Sequence, residues 1–295
     1  MLMRYVVRLV AIPVVPMALL AAALLTVPPV AQAATLERIK ETGTIRIGYR
    51  EHQPPMSFAD ATGQPVGYTI DLCTRIATAV KEELGIGDLK VEYVAVTPGE
   101  RFEALISEKI DILCGATTKT LSRMEEVDFT QLTFGTGASL ISLSKQPIAN
   151  VGDLSGKKVA VVKDTTTIDA LQAAITRSVS DAEMVPVASS DEGMALLSKG
   201  EVAAFAADQI VLVGLVIEAE DRSKFAVSRE LFSYEPFALA VRRNDADFRL
   251  VADRVLSQLY RSEEIGAIYR KWFGAIGDRM PPLLEALYRI NATPE

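Results

Sequence analysis

The stretch of sequence that decides the fold is IDILCGATTKTLSRMEEVDF, residues 110–129. Its first five residues are apolar apart from Asp111, which is typical of a short buried strand. The strand is predicted to end at Gly115, hydroxyl residues follow, and Arg123 lies at the predicted start of a short helix. A strand end, a turn with free backbone N–H groups and a fixed guanidinium together suit one small carboxylate. We therefore predict an anion-binding loop, and no nucleophile–base pair accompanies it.

The N-terminal residues predict a secretory signal peptide. Arg4 and Arg8 form a short basic region, an apolar stretch runs from residue 10 to residue 25, and an Ala-Gln-Ala pattern ends at Ala33. Cleavage after Ala33 removes residues 1–33 and leaves a soluble protein exported to the periplasm. The alternative is an uncleaved membrane anchor, because the apolar stretch is nearly long enough to span a bilayer.

The composition excludes several classes of function. Asp and Glu number 38 against 31 Lys and Arg, and this acidic excess argues against nucleic acid as a partner. The single histidine, His52, lies in a polar, proline-rich loop where we expect it to be exposed. A His-rich metal site is therefore excluded, and we expect neither a metal nor a cofactor. The two cysteines, Cys73 and Cys114, can form a disulfide in an exported protein or remain two buried thiols.

Short apolar runs alternate with amphipathic helical patterns, which predicts an open α/β fold. The pattern runs from residue 44 to residue 113 and restarts near Val159, so two lobes are favoured over one large sheet. Two extended segments are predicted to be crossover strands that form a hinge over a ligand cleft. The predicted boundaries are 34–138 plus 242–295 for lobe 1, 139–143 and 237–241 for the hinge strands, and 144–236 for lobe 2.

In an open α/β sheet, ligands bind outside the carboxyl ends of the strands. Eight charged or hydroxyl residues follow predicted strands or open predicted helices: Arg50, Arg101, Thr117, Thr118, Arg123, Thr165, Thr166 and Asp208. This set can hold a ligand with one ammonium and one or two carboxylates. Several of these residues also have a purely structural interpretation. The alternatives are a solvated surface position for Arg50 and Arg101, a helix cap for Asp208 and the threonines, and an ion pair with Glu126 for Arg123.

Three motifs resemble family 3 of the extracellular solute-binding proteins. They are GYTIDL at residues 67–72, DFT at 128–130 and IYRKWFG at 268–274. The resemblance covers essentially all of the chain after the signal peptide, and it implies a two-lobed periplasmic binding protein fold of type II. It also implies a monomer that captures an amino acid and delivers it to an inner-membrane ABC permease.

The same resemblance implies roles for five of the candidate residues. Arg123 matches the position whose guanidinium holds the α-carboxylate of the ligand, with Thr118 beside it. Asp208 matches the carboxylate that receives the α-ammonium. Thr165 and Thr166 match the second lobe's contribution to the carboxylate.

The remaining arginines imply an acidic ligand. Arg50 and Arg101 fall where glutamate/aspartate-binding members carry arginines that recognise the ligand's side chain. Three features depart from those members: Ala116 stands in place of a serine, Met56 replaces an aromatic residue, and residues 189–192 include no histidine. Glutamate or aspartate is therefore expected, and glutamine stays open.

Two other functions remain as alternatives. The fold also resembles the cyclohexadienyl dehydratases, enzymes that act on the carboxylated ring compounds prephenate and arogenate. However, Asp208 fits an ammonium anchor better than a general acid, and no second positioned acid or base stands out. We therefore expect a protein that binds by clamp closure and is not an enzyme. A sensor that reports ligand occupancy to a separate signalling partner is the third interpretation.

Overall fold

The computed structural model describes residues 35–277 and 279–295 of the 295-residue chain. The predicted signal peptide, residues 1–33, lies outside the described residues. Among the residues that are described, no helix combines the length and apolar character needed to cross a membrane.

Within the described residues, the strands form two five-stranded sheets and one small three-stranded sheet. In chain order the strands are β1 Thr44–Tyr49, β2 His52–Gln53, β3 Ser57–Ala59, β4 Pro65–Val66, β5 Lys90–Ala95, β6 Ile112–Cys114, β7 Val127–Thr136, β8 Ala138–Leu143, β9 Lys158–Val162, β10 Glu183–Val187, β11 Ala204–Asp208, β12 Phe225–Val227 and β13 Glu235–Arg242. The first sheet has the order β5-β1-β6-β13-β7, the second β10-β9-β11-β8-β12 and the small one β2-β3-β4.

The α-helices lie between these strands and at the C-terminal end of the chain. They are α1 Thr35–Thr42, α2 Tyr68–Glu83, α3 Arg101–Ile106, α4 Thr166–Arg177, α5 Ser190–Lys199, α6 Gln209–Glu218, α7 Ala246–Arg261, α8 Ile265–Phe273 and α9 Pro282–Asn291. Arg123–Glu125 form a 3-10 turn, where the sequence predicted the start of a short helix.

The two large sheets are covered by helices, which explains their continuous apolar runs. In β9, Val159 and Val161 pack in one core cluster with residues of α4, whereas Ala160 and Val162 pack in another with residues of α5 and α6. In the first sheet, residues of β1 pack with α2 and α7. Each lobe therefore has its own core, and the structure confirms the predicted two-lobed α/β fold.

The chain passes between the two sheets at two points that lie side by side. It leaves β7 for β8 through Gly137, and it returns from β12 to β13 through residues 228–234. A Cβ on Gly137 would lie only 2.3 Å from the backbone oxygen of Ser233, so only glycine allows this approach. The predicted hinge strands, 139–143 and 237–241, lie within β8 and β13, directly after each crossing. The lobe boundaries stay a prediction.

Cys73 and Cys114 form a disulfide, with their Cα atoms 6.5 Å apart. Of the two alternatives that the sequence left open, the structure therefore has the bridge rather than two free thiols. The disulfide fastens α2 to the last residue of β6. The predicted anion-binding loop begins at the next residue, so its starting point is fixed covalently.

The C-terminal helix α9 has no counterpart among the predicted elements. It packs against the edge strand β7, and its Leu284 and Tyr288 are buried. The hydroxyl oxygens of Tyr288 and Tyr68 are 2.7 Å apart, and both lie within hydrogen-bond distance of the Thr133 carbonyl oxygen. The helix thus covers the outer edge of the first sheet and ties it to α2.

Candidate functional site

The carboxyl ends of strands from both sheets bring the predicted residues together. β1 and β6 are parallel neighbours, so Arg50 and the loop that contains Thr118 both follow carboxyl strand ends at the same edge of the first sheet. β9 and β11 are parallel in the second sheet, so Thr166 and Asp208 both lie at the edge formed by the carboxyl ends of these strands. Thr118 Oγ1 lies 3.3 Å from Thr166 Oγ1, and the two edges therefore face each other across a cleft.

Hydrogen bonds to β13 fix the loop that follows β6. Ala238 N donates to the Thr117 carbonyl oxygen at 3.1 Å, and Thr118 pairs with Phe237 in an isolated bridge. In this pairing the N–H and C=O of Thr118 point away from β13. Its carbonyl oxygen accepts a hydrogen bond from Arg123 Nη1 at 2.7 Å, whereas no described residue accepts from its N–H. The Thr118 N–H and the Arg123 guanidinium are thus both placed to hold a carboxylate.

Three guanidiniums lie close together in the first lobe. Burial lowers the pKa of Arg50 to about 10. Burial and the neighbouring Arg123 and Arg50 lower the pKa of Arg101 to about 9, and burial lowers that of Arg123 as well. The Phe102 ring lies 4.5 Å from Cζ of Arg101 and 5.5 Å from that of Arg123.

These guanidiniums are poorly compensated within the protein. Arg101 is buried and Arg50 partly buried, so neither occupies the solvated surface position that was the alternative. Among the described residues, no carboxylate forms a salt bridge with either of them or with Arg123, so the Glu126 ion pair is also not formed. Because a buried cation without a paired carboxylate is costly, this side of the cleft favours an anionic ligand.

The second lobe contributes two threonines and a carboxylate. Thr165 Oγ1 donates to the Val162 carbonyl oxygen at 2.7 Å and does not cap α4. Asp208 precedes α6 without capping it, and its buried Oδ1 accepts no hydrogen bond from any described residue. Burial and the neighbouring Glu235 raise the pKa of Asp208 to about 8, against the opposing effect of Arg123. Asp208 therefore offers an open acceptor to a cationic donor.

Glu235, at the start of β13, is a residue of this site that the sequence patterns missed. It is buried, with 2% of its surface exposed. Its Oε2 accepts hydrogen bonds from Thr118 Oγ1 at 2.6 Å and from Thr166 Oγ1 at 2.8 Å, and its Oε1 accepts one from Ser233 Oγ at 2.6 Å. The available signal was an acidic residue directly before the apolar run 236–241.

Further contacts join the two lobes around the rim of the cleft. Arg101 Nη1 donates to the Asp164 carbonyl oxygen at 3.1 Å. The exposed His52 places Nδ1 2.7 Å from Asp191 Oδ2 at the start of α5. The turn that contains Pro54 packs directly on α6. The lobes are therefore closed on each other.

The cavity enclosed between the lobes is small. It has a volume of about 30 Å³, and its lining includes Arg50, Thr165 and Asp208 but not the other five predicted residues. This is room for only a few water molecules and is too small for an amino acid. A larger cavity of about 380 Å³ lies among α7, α8 and α9, and none of the described residues that line it belongs to the predicted set. In the described ranges, no cluster of three or more His, Cys, Asp or Glu side chains is placed to hold a metal ion.

Residues 45–275 match the bacterial extracellular solute-binding proteins, family 3. The chain belongs to this family. It is 35% identical over 255 residues to the L-glutamate/L-aspartate-binding protein of Pseudomonas aeruginosa, a match that covers 85% of this chain and 84% of the relative. It is 28% identical to the glutamate/aspartate import solute-binding protein of Salmonella typhimurium, over 82% of this chain and 80% of that one.

A solved structure extends the comparison. The ancestral amino acid-binding protein that is described as a precursor of cyclohexadienyl dehydratase superposes with a TM-score of 0.69 at 26% identity, covering 82% of this chain and 100% of that chain. The family resemblance inferred from the three motifs is thus confirmed, and both curated relatives are named as binding proteins. Helix α9 lies beyond the end of the family match.

Proposed function

We propose that this family 3 member is the periplasmic substrate-binding component of an amino-acid ABC importer, and that its ligand is glutamate or aspartate. The observation that carries the proposal is a closed cleft in which three guanidiniums form no salt bridge with any described residue. In the same cleft, a buried Asp208 oxygen accepts no hydrogen bond from those residues. The names of the two relatives support the same ligand class.

Each charged group of an acidic amino acid finds a partner in the cleft. The α-carboxylate is held by the Arg123 guanidinium and the Thr118 N–H, and the α-ammonium donates to Asp208. The side-chain carboxylate binds Arg50 and Arg101. Each such charge-assisted bond contributes about 1.5–3 kcal/mol net, so the five bonds together offset much of the cost of association.

The charge balance favours an acidic ligand over a neutral one. Counted against the two carboxyl groups of Asp208 and Glu235, the three arginines leave one net positive charge in the cleft once Asp208, with a pKa of about 8, has lost its proton to the solvent. Glutamate and aspartate carry one net negative charge, so their complexes are neutral. Glutamine would leave the positive charge uncompensated, and a cationic amino acid would add to it.

Capture requires that the lobes open and close. The ligand first binds lobe 1 through Arg123 and Thr118, and closure then adds Asp208 and the threonines of lobe 2. The closed state is favoured only by the contacts that the second lobe adds, as for any ligand-driven shift between two states. We propose the lobe boundaries given above for this motion, with the protein acting as a monomer that delivers its ligand to an inner-membrane permease.

The dehydratase alternative rests on two observations. One structural neighbour is a precursor of cyclohexadienyl dehydratase, and a carboxyl group with a pKa of about 8, Asp208, is able to donate a proton at neutral pH. Incubation with prephenate or arogenate tests this alternative. The binding-protein proposal predicts no turnover, and measurable product formation would support an enzyme instead.

A thermal-shift screen against the twenty amino acids tests the proposed ligand. A ligand at one hundred times its Kd stabilises the folded protein by about 2.7 kcal/mol, which gives a clear rise in Tm. Glutamate and aspartate are expected to give the largest shifts. A larger shift with glutamine, or with any cationic amino acid, would contradict the proposed specificity.

A further inference from the structure

Glu235 lies where both lobes and one crossing segment meet. Its carboxylate accepts three hydrogen bonds, each from a hydroxyl group. The donors are Thr118 in the first lobe, Thr166 in the second and Ser233 in the crossing segment. The side chain is nearly completely buried, so these three bonds fix its position. It is therefore a fixed, buried acceptor between the two lobes rather than a surface acid.

The hydrogen-bonding capacity of a threonine limits what Thr118 and Thr166 can do. A hydroxyl group has one proton to donate and two lone pairs that accept. Both protons point to Oε2 of Glu235, at oxygen–oxygen distances of 2.6 Å and 2.8 Å. Towards a ligand, the two oxygens can then only accept. A carboxylate is also only an acceptor, so the side chains of these threonines cannot bind it while Glu235 holds their protons.

We propose that Glu235 is a positioning residue that turns Thr118 and Thr166 into acceptors for the ligand's ammonium, so that the cleft selects an amino acid over the same acid without the amino group. This inference rests on the proposed function and refines it. The α-carboxylate is left to Arg123 and the Thr118 N–H. The role that the family resemblance implied for the threonine side chains, binding the carboxylate, changes accordingly.

The charges around Glu235 agree with this role. Glu235 raises the pKa of Asp208 and opposes the lowering of the pKa of Arg123, so it is electrostatically coupled to both. An ammonium bound to Asp208 would therefore be attracted by two carboxylates, those of Asp208 and Glu235. A hydroxyl group in the same place gains far less from them, because it carries no charge.

The test compares Glu235→Gln with the wild type on two ligands, L-glutamate and 2-hydroxyglutarate. Isothermal calorimetry measures the affinity for L-glutamate. The affinity for 2-hydroxyglutarate is measured by adding it at millimolar concentrations to displace bound L-glutamate. A glutamine amide can donate to the threonine oxygens, which frees their protons to point into the cleft. We expect glutamate affinity to fall at least tenfold and the ratio of glutamate to 2-hydroxyglutarate affinity to fall by a similar factor.

Controls separate positioning from folding. Glu230→Gln changes an exposed acid in the same crossing segment and is expected to leave both affinities unchanged. Thermal unfolding checks that Glu235→Gln is folded. In the variant, the pH midpoint of amino-acid affinity should also move downward, because Glu235 raises the pKa of Asp208. If both affinities fell by the same factor, so that the ratio of glutamate to 2-hydroxyglutarate affinity stayed unchanged, the proposal would be overturned.

The same experiment distinguishes this inference from the proposed function. If the wild type binds another amino acid in place of glutamate, the acidic specificity is wrong, and that amino acid is compared with its own 2-hydroxy analogue. A fall in their ratio then still supports the role of Glu235. If no amino acid binds, both proposals fail.

Discussion

The contact between α6 and the Pro54 turn predicts that Gly214→Ala prevents the lobes from closing fully. A Cβ at Gly214 would lie 2.1 Å from the Pro54 carbonyl oxygen and 2.4 Å from its carbonyl carbon. Ordinary contacts of this kind exceed 3.0 Å, so the two lobes must separate by about 1 Å here. Because the obstructing atoms are backbone, no side-chain rotation relieves the overlap.

The size of the effect follows from the cost of overpacking. One extra methyl group in a close-packed contact costs about 1–3 kcal/mol. If the ligand drives closure, this cost appears in binding, and affinity for glutamate falls about 5- to 140-fold at 1.4 kcal/mol per factor of ten. The open protein should not be destabilised, since alanine is favoured over glycine in a helix by about 0.8–1.0 kcal/mol.

Isothermal calorimetry with glutamate measures the affinity, and small-angle scattering measures the radius of gyration with ligand present. Gly87→Ala is the matched control, since a Cβ there meets no atom within 4 Å. The variant is expected to bind weakly and to remain more extended than the wild type. An affinity within twofold of the wild type would refute the reasoning, because closure would then not depend on the α6 contact.

Two further predictions concern pH and the disulfide. Asp208 has a pKa of about 8 and faces Glu235 and Arg123, so it is mostly protonated at pH 6–7 and must lose its proton to bind an ammonium. Affinity should therefore rise about ninefold from pH 6 to pH 7 and about fivefold from pH 7 to pH 8, and flatten above that, with proton release seen by calorimetry in two buffers. Asp208→Asn should abolish the slope, and a flat wild-type profile would contradict the assignment. Reduction of Cys73–Cys114, which are 41 residues apart, should destabilise the protein by about 4 kcal/mol in denaturant unfolding. An unchanged midpoint after complete reduction would show that the bridge contributes nothing.

Much of the fold and of the candidate site followed from local patterns. Alternating apolar runs and amphipathic helices predicted two α/β lobes, because strands covered on both faces are apolar throughout. The strand-end rule then selected residues such as Arg50, Thr118 and Asp208, and the structure places these three at the cleft. These features depend on the residues near each element, which is why the sequence alone could indicate them.

The features that were missed depend on distant parts of the chain. Glu235 looks like a charged residue before a strand, and its burial arises only because Thr118, 117 residues away, meets it at the crossing. The disulfide likewise depends on how α2 packs against β6, which no spacing of cysteines specifies. Gly214 has no signal in its own helix, since its importance comes from a turn on the opposite lobe.

The most direct test of the central claim is a calorimetric titration of Arg101→Ala with L-glutamate and L-glutamine. Loss of one charge-assisted bond of about 1.5–3 kcal/mol predicts glutamate binding weakened about 10- to 150-fold, with a smaller change for glutamine. Arg123→Ala should abolish binding of both, and Arg75→Ala, an exposed arginine of α2, should change neither. Unchanged glutamate affinity in Arg101→Ala would contradict the claim that this cleft is built for an acidic amino acid.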